Sequence, residues 1–176
     1  MTITGLTPLF TAEQIHARVR ELAAAIDATY GRESVVAICV LKGAAIFFAD
    51  LVRAIRNRNL LLDFVRLSSY GTAMASSGTI TFLKDVETNL RDRHVLVVED
   101  VIDSGCTMRF FLDQLRARGP RSLRLAALVD KRERRVSDVT IDFAGFTIES
   151  GFIVGYGLDY AERYRHLPDI CVAEHD

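Results

Sequence analysis

Val97-Val98-Glu99-Asp100-Val101-Ile102-Asp103-Ser104-Gly105-Cys106-Thr107 is the segment of this sequence that indicates the fold class most clearly. It begins in an apolar run, passes through two adjacent carboxylates and then a third, and ends in small residues. A buried strand that leads through a tight turn into a helix is typical of open α/β sheets, which bind ligands beyond the carboxyl ends of their strands. We therefore predict a ligand site where this strand ends.

The small residues after the third carboxylate suit a phosphate group. We expect a helix to begin near Cys106, and the first turn of a helix offers free N–H groups and the positive end of its dipole. Ser104 and Thr107 add hydroxyl donors, and Gly105 lets the backbone approach a ligand closely. The turn is therefore predicted to bind the phosphate of a phosphorylated ligand, with a simple helix cap at Ser104 as the alternative.

The three carboxylates suit a hydroxylated ligand and an acid–base step. Glu99 and Asp100 could accept hydrogen bonds from sugar hydroxyls or hold a hard cation such as magnesium. Asp103 lies between that pair and the phosphate turn, where it could exchange a proton with a group at the reacting carbon. The alternative is a solvated acidic pair at a strand end, which would leave the rest of the pattern unexplained.

Apolar runs on both sides of this stretch predict an α/β domain. A helix capped by Thr11 comes first, and further helices are expected over residues 44–55 and 106–118. Strands are expected over residues 35–41, 60–67, 79–83, 95–98, 123–129, 139–143, 152–154 and 170–173. Because several of these runs are apolar throughout, the sheet should be mainly parallel and flanked by helices. Residues 1–176 are then expected to form a single domain.

Residues 68–78 differ in character from the runs around them. They read Ser-Ser-Tyr-Gly-Thr-Ala-Met-Ala-Ser-Ser-Gly, which is small and polar with two glycines. Long loops inside compact domains are uncommon and often functional, so we predict a mobile functional loop. A plain flexible connection is the alternative.

Composition argues against several classes of protein. The chain has 176 residues, of which 49% are hydrophobic and 26% charged, and this suits a globular domain. A net charge of −1 lacks the basic excess of a nucleic-acid-binding domain. The basic cluster over residues 131–135 is interpreted as a solvated loop, because its charges alternate with Asp130 and Glu133. Three widely spaced cysteines, no secretory signal and no membrane-spanning apolar run predict a cytoplasmic protein without a membrane partner.

Five segments together resemble the type I phosphoribosyltransferases, and more narrowly the bacterial hypoxanthine and hypoxanthine-guanine branch. They are Leu41-Lys42-Gly43, Ser68-Ser69-Tyr70-Gly71, the central stretch, Leu128-Val129-Asp130-Lys131 and Val154-Gly155-Tyr156-Gly157-Leu158-Asp159-Tyr160. The central stretch resembles the family's phosphoribosyl-diphosphate signature, and the last two segments resemble the 6-oxopurine branch. The resemblance covers nearly the whole chain. It implies the type I phosphoribosyltransferase fold, with a small hood formed by the terminal segments.

The resemblance implies which residues act on the sugar. Asp103 would be the catalytic proton acceptor near N7 of the purine. Glu99 and Asp100 would hold the ribose hydroxyls and one Mg2+ ion, and Asp159 would help to place a second. The 5′-phosphate would lie in a cradle formed by Ser104, Gly105, Cys106 and Thr107.

The resemblance also implies which residues bind the base and the diphosphate. Lys131 would donate to the oxygen at position 6 of the base, Phe152 would stack on the purine, and Ile153 would offer backbone contacts. The diphosphate would contact Lys42, Gly43 and Arg165. Ser69 and Tyr70 would belong to a loop that closes over the reacting centre.

The implied reaction belongs to purine salvage. It is the Mg2+-dependent transfer of 5-phosphoribose from 5-phosphoribosyl 1-diphosphate to N9 of hypoxanthine, and of guanine, giving IMP or GMP and diphosphate. A xanthine or uracil transferase is one alternative, and a non-catalytic nucleotide-sensing or RNA-binding regulator is another. Asp103, Lys131 and the 68–78 loop favour the enzyme, and no nucleic-acid partner is expected. By analogy with the family, the chain should form a homo-oligomer, either a dimer or a tetramer.

Overall fold

The computed structural model describes residues 3–70 and 79–175. Its helices are α1 (Ala12–Tyr30), α2 (Ala45–Ala54) and α3 (Cys106–Arg116). Its strands are β1 (Ile3–Phe10), β2 (Val35–Leu41), β3 (Leu60–Tyr70), β4 (Thr79–Lys84), β5 (His94–Ile102), β6 (Ser122–Lys131), β7 (Phe143–Ile148), β8 (Ile153–Val154) and β9 (Ile170–His175). Within these two ranges no helix is long and apolar enough to cross a membrane.

Six strands form the central sheet in the order β4-β3-β2-β5-β6-β7. Every neighbouring pair is parallel except β3 with β4, which confirms the prediction of a mainly parallel sheet. Apolar side chains of the sheet form two cores, one with α1 and α2 and the other with α3. Because β2, β5 and β6 are parallel neighbours, their carboxyl ends meet at one edge of the sheet.

The terminal segments form a second sheet of three strands in the order β1-β9-β8. Both of its strand pairs are antiparallel. This sheet is the small hood that the family resemblance implies. The sequence does not predict β1 as a strand, because its residues are mostly exposed and include Gly5 and Pro8.

The first helix begins as the sequence predicts. The N–H of Gln14 donates to Oγ1 of Thr11 (3.4 Å), and the N–H of Thr11 donates to Oε1 of Gln14 (2.9 Å), which is a capping box. The side chains predicted to share one face of this helix are all buried, namely Ile15, Val19, Leu22 and Ile26.

The strand predicted over residues 139–143 is wrong, because β7 begins only at Phe143. Val139 is buried and Ile141 packs against the same apolar core as α3. The N–H of Asp142 donates to the carbonyl oxygen of Leu125 (2.9 Å), and the Asp142 carboxylate accepts from the N–H of Leu125 (2.8 Å). A loop that covers a core can therefore show the same apolar alternation as a strand.

Candidate active site

The predicted chemical residues meet at the carboxyl edge of the central sheet. Lys42 follows β2, Asp103 follows β5 and Lys131 ends β6, and these strands are parallel neighbours. A cavity of about 570 Å³ opens there, with a lining that includes Asp100, Asp103, Lys131, Phe152, Ile153 and Asp159. A larger cavity of about 950 Å³ lies at the opposite edge of the sheet, but its lining contains none of the predicted site residues.

Glu99 and Asp100 form a pair of carboxyl groups at the end of β5. Burial raises the pKa of both groups, and the charge of Asp100 raises the pKa of Glu99 further. On neighbouring β2, burial followed by these two charges raises the pKa of the Cys39 thiol to about 12, so that the thiol stays neutral. A cation or a set of hydroxyl donors beside the pair would favour its charged form.

Gly43 leaves the space that Asp100 occupies. A Cβ on Gly43 would lie 1.7 Å from Oδ2 of Asp100, far closer than a non-bonded contact allows. Gly157 is packed against the same turn, because its Cβ would lie 2.1 Å from the carbonyl oxygen of Gly43. The peptide bond between Leu41 and Lys42, at the start of this turn, is cis. The turn after β2 therefore fits between its neighbours only with glycine at position 43.

The turn between β5 and α3 is open to an anion. Gly105 precedes the helix with a φ of 80°, a left-handed conformation that favours glycine, and it supplies no capping side chain. The N–H of Cys106 makes only a long hydrogen bond, 3.4 Å, to Oγ of Ser104. The first N–H groups of a helix have no intrahelical acceptor, so those of α3 can bind a phosphate.

Asp103 and Lys131 line the cavity from neighbouring strands. Oδ1 of Asp103 is shielded from solvent and has no hydrogen-bond partner within the described ranges. Lys131 is only 9% exposed, and its Nζ lies 3.5 Å from a carboxylate oxygen of Glu133. Buried polar groups are stable when they are hydrogen-bonded. The two side chains therefore suit a ligand that offers a hydrogen-bond donor to Asp103 and an acceptor to Lys131.

Phe152 is an exposed aromatic residue in the cavity wall. It is 39% exposed, so it is not a plain core residue, and its ring meets the ring of Tyr160 edge-on with centroids 5.6 Å apart. Ile153, the next residue, is buried and begins β8. An exposed ring at a cavity wall suits stacking on a flat ligand.

The cations predicted for diphosphate, Lys42 and Arg165, meet at Glu162. Nζ of Lys42 lies 2.9 Å from Oε2 of Glu162, and Nη2 of Arg165 lies 3.4 Å from the same oxygen. Nη2 of Arg165 also lies 2.7 Å from Oδ1 of Asp159, while its Nη1 donates to the carbonyl oxygen of Gly157 (2.7 Å). Lys42, Asp159 and Arg165 therefore lie together.

Sequence reasoning missed Glu162 and Arg135. Glu162 is a surface carboxylate, and only its contact with Lys42, distant in sequence, marks it. The interpretation of residues 131–135 as a solvated loop is wrong for two of them, because Lys131 is buried and Arg135 donates to the carbonyl oxygens of Ile102 and Asp103. Nothing in the alternation of charges signals either contact.

The loop predicted over residues 68–78 is wrong at its start, because residues 68–70 form the end of β3 and pair with β4. Ser69 and Tyr70 belong to β3, but their side chains lie outside the part of the chain that the structure describes. Residues 71–78 lie outside it as well. The roles implied for Ser69 and Tyr70 therefore stay predictions.

Comparisons with known proteins agree with this geometry. The chain is 43% identical to the hypoxanthine-guanine phosphoribosyltransferase of Bacillus subtilis over 164 residues, which cover 93% of this chain and 91% of the relative. A crystal structure of a hypoxanthine-guanine phosphoribosyltransferase from Bacillus anthracis matches with a TM-score of 0.89 at 41% identity, covering 96% of this chain and 97% of that one. A solved hypoxanthine-guanine-xanthine phosphoribosyltransferase matches with a TM-score of 0.86 at 39% identity, with the same coverage of 96% and 97%.

The family match extends over most of the chain. The family model of the phosphoribosyl transferase domain matches residues 8–161, a range that includes every predicted site residue except Arg165. With this match and relatives at about 40% identity over nearly their whole length, the chain belongs to the phosphoribosyltransferase family.

Proposed function

We propose that the protein transfers 5-phosphoribose from 5-phosphoribosyl 1-diphosphate to N9 of hypoxanthine or guanine, with Mg2+ as cofactor. The observation that carries the proposal is the single cavity lined by Asp100, Asp103, Lys131, Phe152 and Asp159. These side chains match what a purine and a phosphorylated ribose require, and the relatives' names give the same reaction class.

The base would lie between Lys131, Asp103 and Phe152. An ammonium group can only donate hydrogen bonds. Lys131 would therefore donate to a 6-oxo group, and it would disfavour a base with a 6-amino group, which offers it no acceptor at that position. Phe152 would stack on the flat ring, and the backbone of Ile153 would meet its edge. The shielded, unpartnered Oδ1 of Asp103 would accept the proton that the base loses.

The sugar phosphate would lie along the end of β5 and the turn that follows. Glu99 and Asp100 would accept hydrogen bonds from the ribose hydroxyls. The 5′-phosphate would be bound by the first turn of α3 together with Ser104 to Thr107. Glycine at positions 43 and 105 would keep the two turns in place, since a Cβ there would overlap Asp100 or the carbonyl oxygen of Ser137.

Magnesium fits the oxygen donors at this edge. Glu99 and Asp100 would hold one ion and Asp159 a second, because carboxylate oxygens are the ligands that Mg2+ prefers. Within residues 3–70 and 79–175 no group of three or more acidic, His or Cys side chains is close enough together to hold a metal ion. Substrate and water would therefore supply the other ligands. When bound, the metal would neutralise charge on the diphosphate.

The transfer breaks one bond at C1 of the ribose and forms another. The C1–O bond to diphosphate would break, N9 of the base would form the new C1–N bond, and the proton from N7 would pass to Asp103. Lys42 and Arg165 would stabilise the negative charge of the departing diphosphate. In this displacement Asp103 would take the proton, while Lys42 and Arg165 would stabilise the leaving group.

An assay with five bases tests the proposal. The purified protein would be supplied with phosphoribosyl diphosphate and, separately, hypoxanthine, guanine, xanthine, adenine or uracil, with and without Mg2+. We expect Mg2+-dependent turnover of hypoxanthine and guanine and none of adenine or uracil. Turnover of xanthine alone would make the protein a xanthine transferase. Turnover of all three 6-oxopurines would match the name of one solved neighbour, a hypoxanthine-guanine-xanthine phosphoribosyltransferase.

Binding without turnover would point to the other alternative. If the protein binds phosphoribosyl diphosphate but converts no base, a nucleotide-sensing regulator on the same fold replaces the enzyme. We also propose that the protein forms a dimer or tetramer and that it works in the cytoplasm. The activity assay tests neither proposal. Light scattering of the purified protein would test the first.

A further inference from the structure

Arg135 joins the ends of two neighbouring strands. Its Nε donates to the carbonyl oxygen of Asp103 (2.9 Å), and its Nη2 donates to the carbonyl oxygens of Ile102 (2.9 Å) and Lys131 (3.2 Å). Nη2 also donates to the carboxylate of Asp130 at 2.5 Å. The side chain is 22% exposed, so water has little access to these bonds. One guanidinium therefore ties together the backbone segments that carry Asp103 and Lys131.

These bonds lie where the pairing of the two strands ends. The last paired residues of β5 and β6 are Ile102 and Asp130. Asp103 and Lys131 come directly after that pair, beyond the last rung of the ladder. There the guanidinium of Arg135 replaces the ladder as the connection between the two chain segments.

The loop that carries Arg135 also supports the phosphate turn. The N–H groups of Val136 and Ser137 both donate to the carbonyl oxygen of Ser104, at 3.0 and 3.1 Å. The carbonyl oxygen of Ser137 lies only 2.7 Å from where a Cβ on Gly105 would be. Residues 135–137 thus contact the backbone of Asp103 and the turn before α3 at the same time.

We propose that Arg135 is a positioning residue that fixes the separation of Asp103 and Lys131. This rests on the proposed function, in which one purine must meet both side chains while its ribose phosphate lies on α3. Groups that act together must be held within about 0.5 Å of their working geometry. A displacement of about 1 Å can cost about 10²-fold in rate. Arg135 acts through the backbone and not by contact with the substrate.

Two variants test this role. Arg135→Lys keeps the charge, but an ammonium lacks the planar fork that reaches acceptors on both strands. Arg132→Ala is the matched control, because Arg132 lies 3.5 Å from the same Asp130 carboxylate, is 59% exposed, and makes no described contact with the end of β5. Thermal unfolding would first establish that both variants are folded.

Titrations separate positioning from general loosening of the fold. GMP would span the phosphate turn and Lys131, whereas ribose 5-phosphate would use the phosphate turn and the ribose carboxylates alone. For Arg135→Lys we expect GMP affinity to fall about tenfold and ribose 5-phosphate affinity to stay within about twofold of wild type. We expect kcat to fall about 10- to 100-fold with little change in KM for phosphoribosyl diphosphate. Arg132→Ala should match the wild type in all four quantities.

The outcomes distinguish this role from the proposed function. A folded Arg135→Lys variant with wild-type kcat and GMP affinity overturns the positioning role and leaves the function intact. Equal losses of affinity for GMP and ribose 5-phosphate overturn it too. If the wild type binds GMP without turnover, the titrations alone decide the role of Arg135. A wild type that neither turns over a base nor binds GMP refutes the proposed function, and the role of Arg135 with it.

Discussion

The carboxylate of Glu162 lies 2.9 Å from the ammonium group of Lys42. The same carboxylate meets Arg165, and the hydrogen bond from Lys42 holds the pKa of Glu162 below its usual value. The two cations proposed to bind diphosphate therefore share one intramolecular anion. An incoming diphosphate must compete with Glu162 for both of them.

Glu162→Gln should bind diphosphate more tightly than the wild type. The amide removes the competing negative charge, and because the ion pair is exposed the gain should be only about two- to fivefold. Calorimetric titration with diphosphate and Mg2+ would measure it. Glu87→Gln is the matched control, since it breaks another exposed Lys–Glu pair (Lys84, 3.0 Å) far from the cavity. Weaker binding by Glu162→Gln would mean that Glu162 orients the two cations.

Gly43→Ala should lower turnover by about 10²-fold. The new methyl group would overlap Oδ2 of Asp100 and force the carboxylate, or the turn itself, to move. Steady-state kinetics with both substrates would show the loss. Gly5→Ala serves as the control and should keep its activity, because its Cβ would meet only the flexible end of Glu174, at 3.0 Å. Wild-type kinetics in Gly43→Ala would show that the turn adjusts freely.

Asp103→Asn should lower kcat by about 10²–10⁴-fold, the usual worth of a general base. An amide has nearly the same shape but cannot accept the proton, so affinity for phosphoribosyl diphosphate should hardly change. Rapid-quench kinetics and a binding titration would separate the two effects. Asp92→Asn, a left-handed position (φ 58°) remote from the cavity, is the isosteric control. Unchanged turnover would remove Asp103 from its proposed role.

Asp63 is a buried carboxylate with three backbone donors. It is 5% exposed and accepts from the N–H groups of Phe64 (2.7 Å), Glu87 (3.0 Å) and Thr88 (2.7 Å). Burial raises the pKa of this carboxyl, but hydrogen bonds from Thr88, Phe64 and Glu87 outweigh burial, and the pKa lies below its usual value. The carboxylate thus holds the segment after β4 against β3.

The contribution of Asp63 to the free energy of unfolding should therefore be lost in acid. Because the folded pKa of Asp63 lies below the unfolded value of about 3.9, its contribution is complete above that pH and is lost as the pH falls through the folded pKa. Asp63→Asn should lose about 1–3 kcal/mol at pH 7, because an amide nitrogen would face an N–H donor. Urea unfolding between pH 3 and pH 7 measures both effects. Parallel pH curves for the wild type and the variant would contradict this account.

The buried parallel strands could be predicted from the sequence, while the irregular segments could not. The apolar run of β2 has the predicted bounds, since a strand covered on both faces needs no partner to be recognised. In contrast, Val139 and Ile141 alternate like a strand because they cover a core from a loop. The exposed strand β1 is stabilised by its pairing with β9, and that pairing leaves no local apolar pattern.

Part of the candidate site could likewise be predicted from the sequence, and part could not. The clustering of Lys42, Asp103 and Lys131 follows from strand order, because parallel neighbours end at the same edge. The contact of Glu162 could not be predicted, since Ala161 and Glu162 both adopt positive φ, which non-glycine residues rarely do. The contacts of Arg135 could not be predicted either. They depend on a turn in which the N–H of Arg135 donates to the carbonyl oxygen of Arg132 (3.1 Å).

The adjacency of β5 and β6 has a consequence for inhibitor chemistry. Paired strands lie about 4.8 Å apart, and hydrogen bonds up to Ile102 and Asp130 keep them at that spacing. A compound that joins a purine analogue to a phosphonate, made for the proposed base and phosphate positions, must therefore supply a linker of one set length, because these strand ends are held at a fixed spacing. Rigid linkers of that length should outperform flexible ones, which lose rotational freedom on binding.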